Sequence, residues 1–148
     1  MADQFGLEPY LHDHIPLSRH LGVRVEEAGI ELVRLFAPLA PNLNHRKTGF
    51  GGSISALAIL SGWSLLWCRM RERTSGQHIV IQKNTIEYVA PVTADFTATC
   101  AAPAAAEWER FLRTFEQRGR ARIHLAATVD VGETLAARFS GRFAVLKR

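Results

Sequence analysis

Apolar and polar residues recur along this chain with two periods, one typical of strands and one typical of helices. Residues 120–131 alternate between apolar and polar, and residues 134–145 repeat the alternation after Gly132. A period of two is typical of half-buried strands, and the intervening glycine predicts a hairpin. Another hairpin is predicted for residues 23–27 and 30–37, and two more strands, residues 78–89 and 93–101, flank a turn at Pro91.

Three helices are predicted, and they differ in character. The longest covers residues 53–73, of which residues 54–67 are apolar on every side. A helix without a polar stripe must be surrounded by protein. These 14 residues fall short of the roughly 20 that a membrane span needs. The pattern of residues 15–22 predicts a short helix that ends at Gly22. The pattern of residues 105–116 predicts an amphipathic helix, which either packs on the fold or acts as a lid.

Together these elements predict an α+β fold in which a six-stranded antiparallel sheet wraps around one long central helix. No repeat or linker divides the chain, so residues 1–148 are predicted to form one domain. An open sheet edge invites pairing, and a symmetric dimer would cover it.

Composition narrows the class of protein further. With 148 residues, 47% of them apolar and 22% charged, the chain is neither disordered nor fibrous. Cys68 and Cys100 cannot form a disulfide framework or a four-ligand zinc site, and we expect reduced, half-buried thiols. The first ten residues lack the pattern of a signal peptide, so we expect a cytoplasmic protein with no membrane association.

Positive charge is concentrated in the C-terminal part of the chain. The formal net charge is +4, while residues 110–148 alone contain nine basic and three acidic residues. This asymmetry suits an anionic partner, or it reflects solvated strand faces. Nucleic acid is a poor match, because the basic residues are not interleaved with exposed aromatic residues in a stacking pattern.

A loop of polar residues and glycines precedes the long helix. Glycines at a helix start let a ligand approach free backbone N–H groups, and these donors and the helix dipole favour negative charge. A thioester carbonyl placed there would be polarised, and an oxyanion formed from it would be stabilised. The same glycines also suit tight packing alone. The loop contains Asn42, Asn44, His45, Gly49, Gly51 and Gly52.

Several motifs together indicate a family. They are N-x-N at residues 42–44, FGGS at residues 50–53, a GW-containing apolar helix, IEYVAPVTAD at residues 86–95 and RGRARIHL at residues 118–125. With them the chain resembles the hotdog-fold proteins called putative thioesterases, which occur alone or behind an acetyltransferase domain, and it resembles the standalone form. The resemblance implies a homodimer or tetramer with its sites at the subunit interface. It also implies an acyl thioester of coenzyme A or acyl carrier protein as the substrate, and no cofactor.

The expected base for hydrolysis is absent from the central helix. Hydrolytic hotdog enzymes usually carry an Asp or Glu about two helical turns after the glycines. In this chain that position falls near Ile59. No carboxylate lies between Asn42 and Met70, so general-base hydrolysis lacks its expected residue. His45 would have to substitute, or else Asp13, which stands between two histidines.

Decarboxylation of a malonyl thioester requires fewer catalytic groups than hydrolysis does. It needs no activated water, only a stabilised thioester oxygen as the enolate forms and a shielded carboxylate. The resemblance extends to malonyl-acyl carrier protein decarboxylases, whose key loop asparagine maps onto Asn44. Hydrolysis and non-catalytic acyl binding stay open as alternatives. The predicted site has Asn44 as catalytic residue and Asn42, His45, Gly51, Gly52 and Ser53 as substrate-binding residues.

Some of these residues also have purely structural interpretations. Asn44 could cap its own loop, Ser53 could be a helix N-cap, and His45 could be exposed beside its two cationic neighbours. His12 and His14 are spaced i, i+2 without further ligands, so the sequence predicts no metal site.

Overall fold

One antiparallel sheet and one long helix make up most of the structure. The computed structural model describes residues 3–73 and 78–147. The helices are α1 (Leu7–His14), α2 (Leu17–Leu21), α3 (Gly51–Met70) and α4 (Ala105–Arg118), with a 3-10 turn at Ala40–Asn42. The strands are β1 (Arg24–Ala28), β2 (Leu32–Ala37), β3 (His78–Tyr88), β4 (Phe96–Ala101), β5 (Arg120–Val131) and β6 (Thr134–Leu146).

The six strands form a sheet in the order β1-β2-β4-β5-β6-β3, and every neighbouring pair is antiparallel. The predicted α+β architecture of six antiparallel strands around one helix is confirmed. β3 and β4 follow each other along the chain, yet β5 and β6 separate them in the sheet. The segment between β3 and β4 passes the start of α3, where Gly49 donates its N–H to the Val92 carbonyl oxygen at 2.7 Å.

α3 is the core of the fold and contacts all six strands. The approach to β6 is close, because a Cβ on Gly62 would lie 2.7 Å from Cζ of Phe143. By length and hydropathy α3 would pass for a membrane span, but 56% of its most apolar stretch is buried inside the protein. The interpretation of residues 54–67 as a core helix is therefore confirmed.

α3 begins earlier than the sequence pattern predicts. It runs from residue 51 to residue 70 rather than from 53 to 73, so Gly51 and Gly52 form its first turn. The N-cap position is Phe50, and no side chain caps the helix. The interpretation of Ser53 as an N-cap is therefore wrong, since Ser53 is the third helical residue.

The N-terminal segment forms a helix, α1, that the sequence pattern did not predict. The Asp3 carboxylate accepts the N–H groups of Leu7 and Glu8 at 2.7 and 2.8 Å, which caps the helix. The Glu8 carboxylate in turn accepts the N–H of Val25 at 2.7 Å. Leu7 and Leu11 are fully buried. α1 therefore packs on the fold through these leucines as well as through the hydrogen bond of Glu8 to β1.

Both cysteines are buried rather than half-buried. Cys68 and Cys100 are free thiols, with 3% and 0% of their surface exposed. Burial raises the pKa of each thiol to about 12. Neither is therefore a thiolate at neutral pH, and neither is suited to act as a nucleophile.

α4 covers the sheet beside β5. Its apolar stripe, Trp108, Phe111 and Phe115, is buried, and the Arg69 guanidinium of α3 lies 4.3 Å from the centre of the Trp108 ring. The interpretation of this helix as packed on the fold is confirmed. Arg148, the last cation of the basic C-terminal segment, lies outside the described residues.

Candidate active site at the start of the central helix

The loop from Asn42 to Phe50 fixes the position of the first turn of α3. Phe50 donates its N–H to the Asn42 carbonyl oxygen at 2.8 Å, and Asn44 donates its N–H to the Thr48 carbonyl oxygen at 2.8 Å. Between them Lys47 adopts the left-handed region with φ of 62°, which is uncommon for a residue with a side chain. The loop is thus closed on itself immediately before the glycines.

Asn42 ties this loop to the N-terminal helices. Its side chain is 2% exposed, and its Nδ2 donates to the carbonyl oxygens of Leu21 and Pro38 at 2.8 and 2.7 Å. Its Oδ1 is buried and has no hydrogen-bond partner within residues 3–73 and 78–147. These contacts indicate that Asn42 holds the loop in place from behind, since it does not line the cavity at the helix start.

Asn44 organises the turn itself. Its Oδ1 accepts the N–H groups of Arg46 and Thr48 at 2.8 and 3.1 Å, and its Nδ2 donates to Oγ1 of Thr48 at 2.9 Å. The remaining contact, from Nδ2 to the Gly49 carbonyl oxygen, is long at 3.4 Å, and such a bond is weak. Three of the four hydrogen bonds of this side-chain amide are therefore of normal length, and the Nδ2 hydrogen that faces Gly49 is only weakly bonded.

Two backbone donors are free at the first turn of α3. Ser53 and Ile54 donate their N–H groups to the Phe50 carbonyl oxygen, whereas those of Gly51 and Gly52 have no acceptor in the described part of the chain. As the first residues of a 20-residue helix, they also lie at the positive end of its dipole. This arrangement is suited to binding a carbonyl oxygen or an oxyanion.

These donors adjoin a cavity of about 470 Å³. Its opposite wall is the end of β3 and the segment that follows, and the Tyr88 hydroxyl donates to the Gly51 carbonyl oxygen at 2.8 Å. Sequence reasoning missed this wall, although its residues lie in the IEYVAPV motif that contributed to the family resemblance. The lining residues are Gly49, Gly51, Gly52, Ile54, Tyr88, Val89, Ala90, Pro91 and Val92.

The structure brings only part of the predicted site to this cavity. Gly51 and Gly52 line it, whereas Asn42, Asn44, Ser53 and His45 do not. Asn44 is linked to the cavity through Gly49, and His45 is exposed on the loop. Sequence reasoning therefore found the helix start but not the side chains that face it.

Neither proposed substitute base lies at the cavity. Asp13 is an exposed residue 3.9 Å from Arg19, and His45 is exposed on the loop outside the cavity. No Asp, Glu or His lines the cavity, and residues 3–73 and 78–147 contain no group of three His, Cys, Asp or Glu side chains that could hold a metal ion. The site therefore offers donors for an oxygen atom and no carboxylate or imidazole.

The cavity opens beside exposed apolar surface at the β3 edge of the sheet. Phe50, Tyr88 and Val89 are 55%, 50% and 47% exposed. β3 pairs only with β6, so its other edge has no strand partner among the described residues. An open edge next to apolar surface favours pairing with another strand.

Comparison with known proteins agrees with this fold. The sequence matches the family described as "Putative thioesterase (yiiD_Cterm)" over residues 5–147. A protein of unknown function from Chlorobaculum tepidum TLS has a similar structure, with a TM-score of 0.88 and 30% identity over 96% of this chain and 93% of that chain.

Two further structures are also similar. The "putative thioesterase" from Shewanella oneidensis is 28% identical with a TM-score of 0.79, over 96% of this chain and 95% of that chain. A "probable thioesterase" from Pseudomonas aeruginosa is 20% identical with a TM-score of 0.78, over 94% and 93%, a likeness that concerns the fold alone. The fold is the hotdog fold of this superfamily.

Proposed function

Because the chain belongs to the family described as "Putative thioesterase (yiiD_Cterm)", we propose that it is an enzyme acting on a short acyl thioester of coenzyme A or acyl carrier protein. The reaction that we propose is decarboxylation of a malonyl thioester. One observation carries this choice: the cavity offers the free N–H groups of Gly51 and Gly52 but no carboxylate or imidazole.

Decarboxylation needs only what this cavity provides. The bond between the carboxylate carbon and the α-carbon breaks, carbon dioxide leaves, and the electron pair enters the thioester enolate, whose oxygen takes the negative charge. The N–H groups of Gly51 and Gly52 and the α3 dipole would stabilise that oxygen. A proton from solvent then reaches the α-carbon and yields the acetyl thioester.

Asn44 is proposed as a further donor to the thioester oxygen. Its long 3.4 Å contact with the Gly49 carbonyl oxygen leaves one amide hydrogen that a small rotation could turn toward a ligand. Its Oδ1 would keep the turn in place meanwhile, through its bonds to the N–H groups of Arg46 and Thr48. Asn42 and Ser53 would act by shaping the loop and the helix start.

Hydrolysis is the second candidate, and the thioesterase descriptions of the family and of the Shewanella oneidensis structure favour it. It requires a base to activate water. Since no Asp, Glu or His of the described residues lines the cavity, the base would come from a second copy of the chain, or His45 would have to move in from the adjacent loop. Non-catalytic acyl binding is the third candidate.

A second copy of the chain is part of the proposal. Pairing of two β3 strands across a two-fold axis would cover the open edge and enclose the cavity. The exposed Phe50, Tyr88 and Val89 would lie at or near such an interface. A homodimer is the smallest assembly that completes the site, and a tetramer would build on it.

A substrate panel with two separate readouts distinguishes the three candidates. Malonyl and acetyl thioesters of coenzyme A and of acyl carrier protein are supplied to the protein, and carbon dioxide and free thiol are measured independently. Decarboxylation yields carbon dioxide and acetyl thioester without thiol. Thiol release supports hydrolysis instead, and neither product with retained ligand binding supports an acyl-binding role.

Variants of Asn44 separate its two roles. Asn44→Asp keeps an acceptor for the loop N–H groups but removes the donor, whereas Asn44→Ala removes both. We expect both to lower carbon dioxide release about a hundredfold, as is typical for loss of one oxyanion donor, with Asn44→Asp more stable to urea than Asn44→Ala. Gln117→Ala, at an exposed amide on α4, is the control. Wild-type turnover by Asn44→Asp would show that Asn44 only supports the loop.

A further inference from the structure

The outer face of the sheet contains a second concave site that the thioester chemistry does not use. A cavity of about 390 Å³ lies between α4 and the outward side chains of β5 and β6, and it is lined by Arg110, Thr114, Arg122, His124 and Arg142 among others. A neighbouring cavity of about 450 Å³ shares Thr114 and Arg122 and adds Arg118 and Arg120. We call the two together the α4 groove.

The strand register explains why the cations converge. In β5 the residues at positions 121, 123 and 125 point inward and are buried, so Arg120, Arg122 and His124 share the outer face. Alternate residues of a strand lie roughly 7 Å apart. Arg142 of β6 lies opposite His124, and Lys83 of β3 lies opposite Arg142 on the other side. The result is a row of basic side chains in adjacent strands.

The positive charge of the α4 groove is not neutralised within the described part of the chain. None of its arginines forms an ion pair there, and Glu107 is the one carboxylate that lines either cavity. Arg138 lies four residues before Arg142 on β6. Its charge is neutralised, because it forms an ion pair with Glu87 at 2.8 Å. The groove therefore holds cations whose counter-charge must come from elsewhere.

One donor in the groove points to a ligand more directly. The Nε of Arg142 is buried and has no hydrogen-bond partner within residues 3–73 and 78–147. A buried donor without an acceptor carries the desolvation penalty of its N–H group with nothing to offset it. A ligand oxygen that enters the groove would remove that cost, and a guanidinium fork is well matched to the oxygens of a phosphate.

We propose that the α4 groove binds the phosphate groups of a small phosphate ester. Its cavities have the size of small-molecule sites, which is about 300–1,000 Å³. The one aromatic residue that lines it, Phe111, is buried, so the groove offers no stacking surface for a nucleic-acid strand. The buried Nε of Arg142 is out of reach of a flat protein surface.

The phosphate has two possible sources, which differ in their relation to the candidate active site. Within one chain the groove lies far from the acyl cavity, since Gln82 of the groove and Tyr88 of the cavity are six residues apart on β3, roughly 20 Å. In the dimer proposed above, on which this point rests, antiparallel β3 strands would bring one groove toward the partner's cavity. The phosphates would then be those of the substrate's own carrier group; otherwise they belong to a separate ligand.

Calorimetric titration with adenosine 3′,5′-bisphosphate tests the proposal without turnover. We expect Arg122→Gln combined with Arg142→Gln to weaken binding at least about tenfold, because each removes a charge-assisted hydrogen bond. Arg138→Gln combined with Arg34→Gln removes the same charge from the sheet outside the groove, and it should leave binding within about twofold. Equal weakening in both double variants would show a net-charge effect only.

The remaining outcomes are equally decisive. No binding by the wild-type protein, or unchanged binding by the groove variant, would overturn the proposal. So would groove-dependent binding of acyl carrier protein without binding of the bisphosphate. Where the bisphosphate binds, competition with an acyl-coenzyme A substrate identifies the substrate's phosphates as the source, and simultaneous binding identifies a separate ligand. Failure of the proposed reaction alone would leave the calorimetric result intact.

Discussion

The two edges of the sheet are built in different ways. β1, at one edge, has five residues and a bulge between Val25 and Glu27, and the N-terminal segment covers it through the Glu8 contact and a bridge from Asp3 to Ala28. β3, at the other edge, has 11 residues, mostly exposed, and has no covering segment in the described part of the chain. Short, bulged and covered edges resist pairing, whereas long open ones promote it. The candidate active site lies at the open edge.

The largest expected effect is on assembly. Val80 is 44% exposed on β3, and Ile30 is 51% exposed beside the closed edge. We expect Val80→Glu to convert the proposed dimer into monomers, because it places like charges near each other across the proposed two-fold axis, and to abolish turnover. Ile30→Glu is the matched control and should sediment as the wild type. Sedimentation equilibrium at micromolar concentration measures both.

A monomeric wild-type protein would contradict this prediction at once. Circular dichroism of Val80→Glu shows whether the monomer is folded, which separates lost pairing from lost structure.

The second effect is on the cavity. A Cβ on Gly51 would lie 3.3 Å from Oη of Tyr88, whereas a Cβ on Gly29, beside β1, would lie no closer than 3.7 Å to its neighbours. We expect Gly51→Ala to lower kcat/KM about tenfold by displacing the Tyr88 wall, a modest part of what loss of an oxyanion donor costs. Gly29→Ala should turn over as the wild type does. Equal kinetics in the two variants would show that the β3 wall does not bound the substrate.

The third effect tests the closed edge. Asp3→Ala removes the acceptor for two N–H groups of α1, and we expect a loss of about 1–2 kcal/mol in the free energy of unfolding. Asp13→Ala removes only an exposed ion pair at 3.9 Å and should cost about 0.5 kcal/mol or less. Urea unfolding measures both values. Were the order reversed, α1 would not be the element that covers β1.

The smallest effect concerns one hydroxyl group. Tyr88→Phe removes the bond to the Gly51 carbonyl oxygen, and we expect KM to rise by about fivefold or less, since a neutral hydrogen bond contributes about 1 kcal/mol. Tyr10→Phe changes the only other tyrosine, whose ring lies 4.9 Å from the Trp67 ring of α3 at an interplanar angle of 37°, and should leave KM unchanged. A fall in kcat without a change in KM would assign Tyr88 a different role.

The strands and the central helix were predictable because their patterns are local. Alternation over residues 120–145 and an unbroken apolar run over residues 54–67 follow from burial on one face or on all faces. α1 was not predicted because only Leu7 and Leu11 form its buried face. Two apolar positions are too few to show a clear helical period. Its cap also depends on Asp3, four residues before Leu7.

The candidate site was only half predictable for a different reason. The glycines of the first turn are adjacent in sequence, so the motif reveals them. The facing wall comes from residues 88–92, which a contact between Gly49 and Val92 brings to the helix start across 43 positions of the chain. The order of strands, which puts β3 at the edge rather than beside β4, is likewise set by long-range pairing. No local period encodes either feature.

The hydrogen bond from Gly49 to the Val92 carbonyl oxygen has a thermodynamic consequence. It joins the loop that sets the start of α3 to the segment that leaves the edge strand, so that the shape of the proposed oxyanion site and the position of β3 are not independent. In the proposed dimer, assembly and ligand binding would then be two linked equilibria. The factor by which pairing of β3 strengthens substrate binding must equal the factor by which substrate strengthens pairing.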